Sequence, residues 1–191
     1  MVSSQFTNSS WLTKPSLESG IKESAEPFRA RLTFHRSAEF GDHLQADFDF
    51  PGAGRRPVGR LLVLGHADTV WDLGTLRRMP FRVQDGRAYG PGVLDMKGGI
   101  TGALFALAAL CELRTPVRKR VTLLLTADEE VGSRSSRRVI EKLARGSDAA
   151  LVIEPGAGLR GALKTARKGV GEYRLVVHGR PAPAGVDFAP G

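Results

Sequence analysis

Three short apolar runs, each closing on acidic or imidazole side chains, constrain the fold of this chain more than any other feature. The first is residues 61–64 of "LLVLGHADTV", the second lies in "RVTLLLTADEEVGS", the third in "DAALVIEPG". A strand half open to water alternates polar and apolar residues, whereas a strand covered on both faces reads as a continuous apolar run. Between these runs stand two helical stretches. Residues 100–113 are rich in Ala and Leu, and "RSSRRVIEKLARG" ends at Gly146, a helix stop. The order strand, helix, strand, helix, strand predicts an α/β fold, a mostly parallel sheet with helices on both faces. Such sheets bind ligands at the carboxyl ends of their strands. The polar residues that end these strands are of metal-ligand type: His66 and Asp68, then Asp128, Glu129 and Glu130, then Glu154.

The remaining chain reads as follows. Residues 1–30 lack periodicity and are expected to be irregular. "LTFHRSAEFGDHLQADFDF" has room for one or two strands ending at Pro51, and "PGAGRRPVG" is a turn. "MPFRVQDGRAYG" predicts a hairpin turning at Asp85-Gly86, followed by a glycine-rich loop carrying Asp95. "GEYRLVVHGR" predicts a strand of a second, half-exposed sheet. No stretch reads as long and apolar enough to cross a bilayer, and the N-terminus lacks the basic and apolar regions of a secretory signal, so a cytoplasmic protein is expected. The single cysteine, Cys111, excludes an internal disulfide and sits where a small core residue is expected. The net charge of +8 comes mostly from arginines scattered over turns and a helix, without interleaved aromatics. They read as solvated faces that could steer an anionic substrate, not as a nucleic-acid groove.

Each strand-end residue has an ordinary explanation when taken singly. A strand-end histidine is commonly a hydrogen-bonded surface group. An acidic pair suits the first turn of a helix, and Asp95 could cap the helix after it. Together they differ: several carboxylates at one sheet edge repel one another, and a divalent cation relieves that repulsion. One imidazole with several carboxylates suits zinc or a similar ion.

"GHADTV", "YGPGVLDMKGG", "TADEEVGS" and "VIEPG", in this order, resemble the co-catalytic zinc exopeptidases and deacylases. That family includes glutamate carboxypeptidase (carboxypeptidase G), acetylornithine deacetylase, succinyl-diaminopimelate desuccinylase and aminoacylase. The resemblance implies a zinc-dependent metallohydrolase, a carboxypeptidase or deacylase, with two zinc ions and small acyl amino acid or peptide substrates. By motif, His66 would ligate one zinc, Asp95 would bridge both, and Glu130 and Glu154 would each bind one. Glu129 would be the general base, and Asp68 would orient His66. The resemblance also implies domain bounds: an irregular segment at 1–40, the N-terminal part of the catalytic domain at 41–166, and the start of an α+β lid or dimerisation domain at 167–191. A homodimer is implied for a full-length parent; no membrane or nucleic-acid partner is.

Three departures accompany it. The chain is about half the length typical of the family, so a truncated form is expected. A further metal-binding histidine has no counterpart, since His35 and His43 precede the first motif and His178 lies outside one. Pro183 stands where the lid usually carries a histidine. An inactive, metal-binding remnant is therefore the alternative reading, with a basic nucleic-acid-binding protein behind it.

Overall fold

In a computed structural model of the chain, residues 30–50, 57–158, 160–176, 178 and 179 are described. The expected irregular segment at 1–29, most of the turn at 51–59 and Pro183 lie outside them. The chain divides into two compact units, Met1–Pro155 and Gly156–Gly191.

The first unit holds β1 (Arg31–His35), β2 (His43–Phe48), β3 (Arg60–His66), β4 (Arg82–Gln84), β5 (Arg87–Tyr89), β6 (Arg120–Thr126) and β7 (Ala149–Val152). Its α-helices are α1 (Thr75–Arg78), α2 (Gly98–Glu112) and α3 (Arg137–Arg145). One five-stranded sheet has the order β1-β2-β6-β3-β7. β3 runs parallel to β6 in register from Arg60↔Arg120 to His66↔Thr126, and parallel to β7 on its other side. β2 lies antiparallel to β6, and β1 antiparallel to β2. The expected α/β class is observed, but the sheet is mixed, not mostly parallel. The β1–β2 connection is too short for the crossover that parallel neighbours need, so these strands form an antiparallel flap on β6.

Strand alternation divides the core between two helices. Val63, Val121, Leu123 and Leu125 face one side, where Leu107 is buried and Ile100, Leu104 and Cys111 of α2 are half-buried. Leu62, Leu64 and Leu124 face the other side and meet Val139, Ile140 and Leu143 of α3. Each face of the β3–β6 pair therefore has its own helix, which accounts for the first two apolar runs; the third, expected to be buried, is the edge strand β7, where Leu151 and Val152 are exposed. Burial raises the Cys111 thiol pKa, the opposite of what an activated nucleophile needs.

Asp85 and Gly86, both at positive φ, form the predicted turn between β4 and β5. The predicted strand around residues 171–180 is absent among the described residues. Tyr173 is 96% and Leu175 89% exposed, so no neighbour supplies pairing groups to that backbone. The expectation that no segment suits a bilayer needs correction on length and composition. Val93–Glu112, 20 residues with mean hydropathy 1.5, satisfies both criteria. The backbone is non-helical at Asp95 and Met96 within that run. The regular helix α2 is 15 residues long, about 22 Å, against about 30 Å of hydrocarbon.

The glycines before α2 set the approach of helix to sheet. A Cβ on Gly99 would lie 2.0 Å from the Ile153 carbonyl oxygen, just after β7. Only a residue without a side chain lets the start of α2 reach the end of β7. We expect Gly99→Ala to lower unfolding free energy by about 1–3 kcal/mol. Gly102→Ala, one turn on and facing open space, should be neutral or slightly stabilising. Urea titration of the two variants checks this.

Candidate metal centre

β3 delivers His66 to the carboxyl edge of the sheet, where it is 2% exposed. Its backbone N–H donates to Met96 Sδ at 3.1 Å, tying the strand end to the loop that carries Asp95. Its Nδ1 lies 3.0 Å from the Asp68 carbonyl oxygen. A carbonyl only accepts, so Nδ1 carries a proton and Nε2 is the atom presented to the site. Nε2 lies 3.1 Å from Asp95 Oδ1, 3.4 Å from Glu154 Oε1 and 4.0 Å from Glu129 Oε2.

Four segments bring these groups together. His66 ends β3. Asp95 lies in the Val93–Lys97 turn before α2, with a cis peptide to Met96. Glu129 and Glu130 lie in a 3₁₀ turn, Glu129–Val131, beyond β6. Glu154 follows β7. In the loop that carries Asp95, Gly92 has φ +67, a left-handed conformation that favours glycine, and a Cβ there would also crowd Thr69 Cγ2 at 2.5 Å.

The potential metal-ligand atoms fall into two overlapping groups, His66 with Glu129 and Glu154, and His66 with Asp95 and Glu130; within each, the atoms lie within 4.8 Å of one another. His66 is common to both groups; Asp95 and Glu130 complete one, and Glu129 and Glu154 complete the other. Asp68 meets the ring in two ways. Its main-chain carbonyl accepts the His66 Nδ1–H, its Oδ1 lies 3.5 Å from Nδ1, and its Oδ2 accepts the Glu130 backbone N–H at 2.9 Å. It therefore links the histidine strand to the acidic turn.

The electrostatics favour a cation. Burial raises the Glu130 pKa, and the charges of Asp95, Glu129 and Asp68 raise it further against the opposing effect of His66. Burial likewise raises that of Glu154, with Asp95 and Glu129 adding to it. Burial alone would also raise the Asp68 pKa, but hydrogen bonds from His66 and the backbone amides of Glu130 and Glu129 hold it below the usual carboxylate range. An imidazole nitrogen facing crowded carboxylates is a donor set that a divalent ion fits.

The profile of peptidase family M20/M25/M40 matches residues 62–189. The chain belongs to that family. It is 36% identical over 125 residues to carboxypeptidase G2 of Pseudomonas sp. strain RS-16, a match covering 65% of this chain and 30% of that protein. Its fold is similar to an M20 family metallo-carboxypeptidase, Sso-CP2, of Sulfolobus solfataricus. There the TM-score is 0.61 at 18% identity, over 77% of this chain and 33% of the other. A tripeptidase of Staphylococcus aureus gives 0.60 at 17% identity, over 80% and 41%. The matched part of this M20 chain thus spans about a third of the length of its relatives.

Sequence reasoning set aside His43, which the structure places close to the acidic turn through Ser135 and Asp128. Its signal was available only as a histidine at the start of a strand.

Burial works against a charged His66. The hydrogen bonds and charge of Asp68, with the charge of Glu154, outweigh it and lift the pKa from 6.5 to about 9. A raised folded-state pKa contributes stability that is full below pH 6.5 and is lost as pH rises through about 9. In EDTA, an NMR titration of the imidazole signals should show His66 titrating near pH 9. Adding zinc should abolish that titration.

Proposed function

We propose that this M20 chain carries the metal centre of a zinc-dependent hydrolase that cleaves amide bonds of N-acyl amino acids or small peptides, as a carboxypeptidase or deacylase does. The observation that carries this reading is the convergence of His66 Nε2 with Asp95, Glu129, Glu130 and Glu154 at one sheet edge. His66, Asp95, Glu130 and Glu154 are the residues that would hold two zinc ions. When bound, the ions polarise the scissile carbonyl and lower the pKa of the attacking water.

The chain's own groups do the rest. The Asp68 carbonyl keeps the proton on His66 Nδ1, which leaves Nε2 free to ligate. Glu129, half exposed where substrate would enter, takes the proton of the attacking water and returns it to the leaving amine. Glu130, one residue on, has its amide fixed by Asp68 and serves as a ligand, so the two adjacent acids divide the work. The arginine excess favours substrates with a free carboxylate. On this reading residues 41–166 belong to the catalytic domain and 167–191 begin a lid.

One observation favours a second reading, a centre that binds metal without turnover. Among the described residues His66 is the one imidazole at the acid cluster, since His43 bonds to Ser135 and His35 to Gln45.

Zinc content after dialysis, measured with hydrolysis of an N-acyl-glutamate, separates the readings. We expect about two ions per chain and measurable hydrolysis. Glu129→Gln should retain the metal and lose about 10²–10⁴-fold in kcat. Wild-type turnover in that variant excludes Glu129 as the base. Zinc without hydrolysis selects the second reading, and no zinc overturns both.

A further inference from the structure

His43 opens β2, is 2% exposed and touches none of the acids around His66 among the contacts described above. Its Nδ1 accepts the Ala127 backbone N–H at 3.2 Å, which fixes the ring proton on Nε2. Burial lowers its pKa, despite the opposing charge of Asp128, so the ring is neutral. Nε2–H then donates to Ser135 Oγ at 3.0 Å, and that hydroxyl donates to Asp128 Oδ2 at 2.9 Å. The same oxygen accepts the backbone N–H groups of Ser135 at 2.6 Å and Ser136 at 3.1 Å.

A histidine, a serine and an aspartate in contact invite comparison with a nucleophilic triad, but the direction of the hydrogen bonds forbids it. In a triad the serine gives its proton to the imidazole and the aspartate holds the other ring nitrogen. Here the imidazole donates to the serine, the serine donates to the aspartate, and the second nitrogen is bound to a main-chain amide. Asp128 is fully buried. The arrangement is a brace. It grips the loop at Ala127 on one side and at Ser135 and Ser136 on the other, and between these points lies the 3₁₀ turn of Glu129 and Glu130. The Asp128 carbonyl also accepts the Ser133 N–H at 2.7 Å, tightening the same neck.

We propose that His43, acting through Ser135 and Asp128, is a positioning residue that holds the Glu129–Glu130 turn in its ligating and proton-accepting geometry. The inference rests on the reading of those two acids as base and metal ligand. Asp68 pins the turn from the histidine side, and the His43 chain pins its base from the opposite side, out of β2.

The test uses the full chain in four forms, wild type, His43→Phe, Ser135→Ala and Ser135→Thr, plus the double variant of Phe at 43 with Ala at 135. Two quantities are read. One is amide hydrogen exchange of residues 127–136 against that of β3 in the metal-free chain. The other is zinc affinity. We expect His43→Phe and Ser135→Ala each to speed exchange at least about tenfold within 127–136 and to leave β3 unchanged. Each should weaken zinc binding by about 10–100-fold. Ser135→Thr, which keeps the hydroxyl, should restore both, and the double variant should be no worse than the more affected single one. Exchange and affinity within twofold of wild type in both single variants overturns the inference. So does uniformly faster exchange through β3, which would mark a general loss of stability. If His43→Phe does not fold, the contrast of Ala with Thr at position 135 decides. If the wild type binds no zinc, the reading of the site fails, and the exchange arm alone decides whether His43 fixes the turn.

Discussion

The in-register parallel pairing of β3 with β6 on one side and β7 on the other is the constraint from which the rest follows. Parallel neighbours have their carboxyl ends at the same edge. Any polar residue that ends one strand therefore meets those that end the others. His66 pairs with Thr126 at the last rung, so the chain leaving β6 delivers Glu129 and Glu130 beside the imidazole. β7 pairs with β3 only as far as Leu64↔Val152, and the two residues beyond bring in Glu154. The connections that make this possible are the two helices, one on each face. The strands supply most of the buried core, and the helices close it with Leu107 and Leu143.

That convergence carries an electrostatic cost. Burial and the charges around them raise the pKa of Glu130 and Glu154, and the His66 imidazole, its own pKa lifted to about 9, offsets part of that crowding. Because Nδ1 is committed to a carbonyl, Nε2 is the nitrogen that faces the acids. Beside these acids, His43, Asp128 and Ser136 are buried and their hydrogen bonds are directional. Asp128 accepts from three donors, and its pKa stays low against burial through Ser136 and Ser135. Such groups specify one loop conformation, and that has value only if the acids on the loop need an exact place.

Much of this could be read from the order of residues. Continuous apolar strands announced a sheet covered on both faces. The hairpin at Asp85-Gly86 followed from turn chemistry, and Gly146 marked the end of α3. The ligand-type residues stood where parallel strands end, so the site was legible once the strands were. The antiparallel half of the sheet was less so, since periodicity says nothing of a strand's neighbours. "GEYRLVVHGR" has the pattern of a strand and forms none among the described residues, and pairing is a long-range property. His43 was passed over because its meaning depends on residues more than 80 positions away. Asp68 was read as an orienter acting through its carboxylate, whereas the main-chain oxygen at the same residue makes the shorter contact with the ring.

That last detail has a consequence for how the site can change. The tautomer of the histidine is set by a peptide oxygen, which every amino acid possesses. Replacement of the side chain at 68 can alter the charge felt by the ring and the hold on Glu130. As long as the local backbone keeps its course, it does not decide which nitrogen faces the acids. The choice of which nitrogen faces the acids is thus written into the path of the main chain, out of reach of most point mutations, while the charge around that nitrogen remains open to adjustment by side chains.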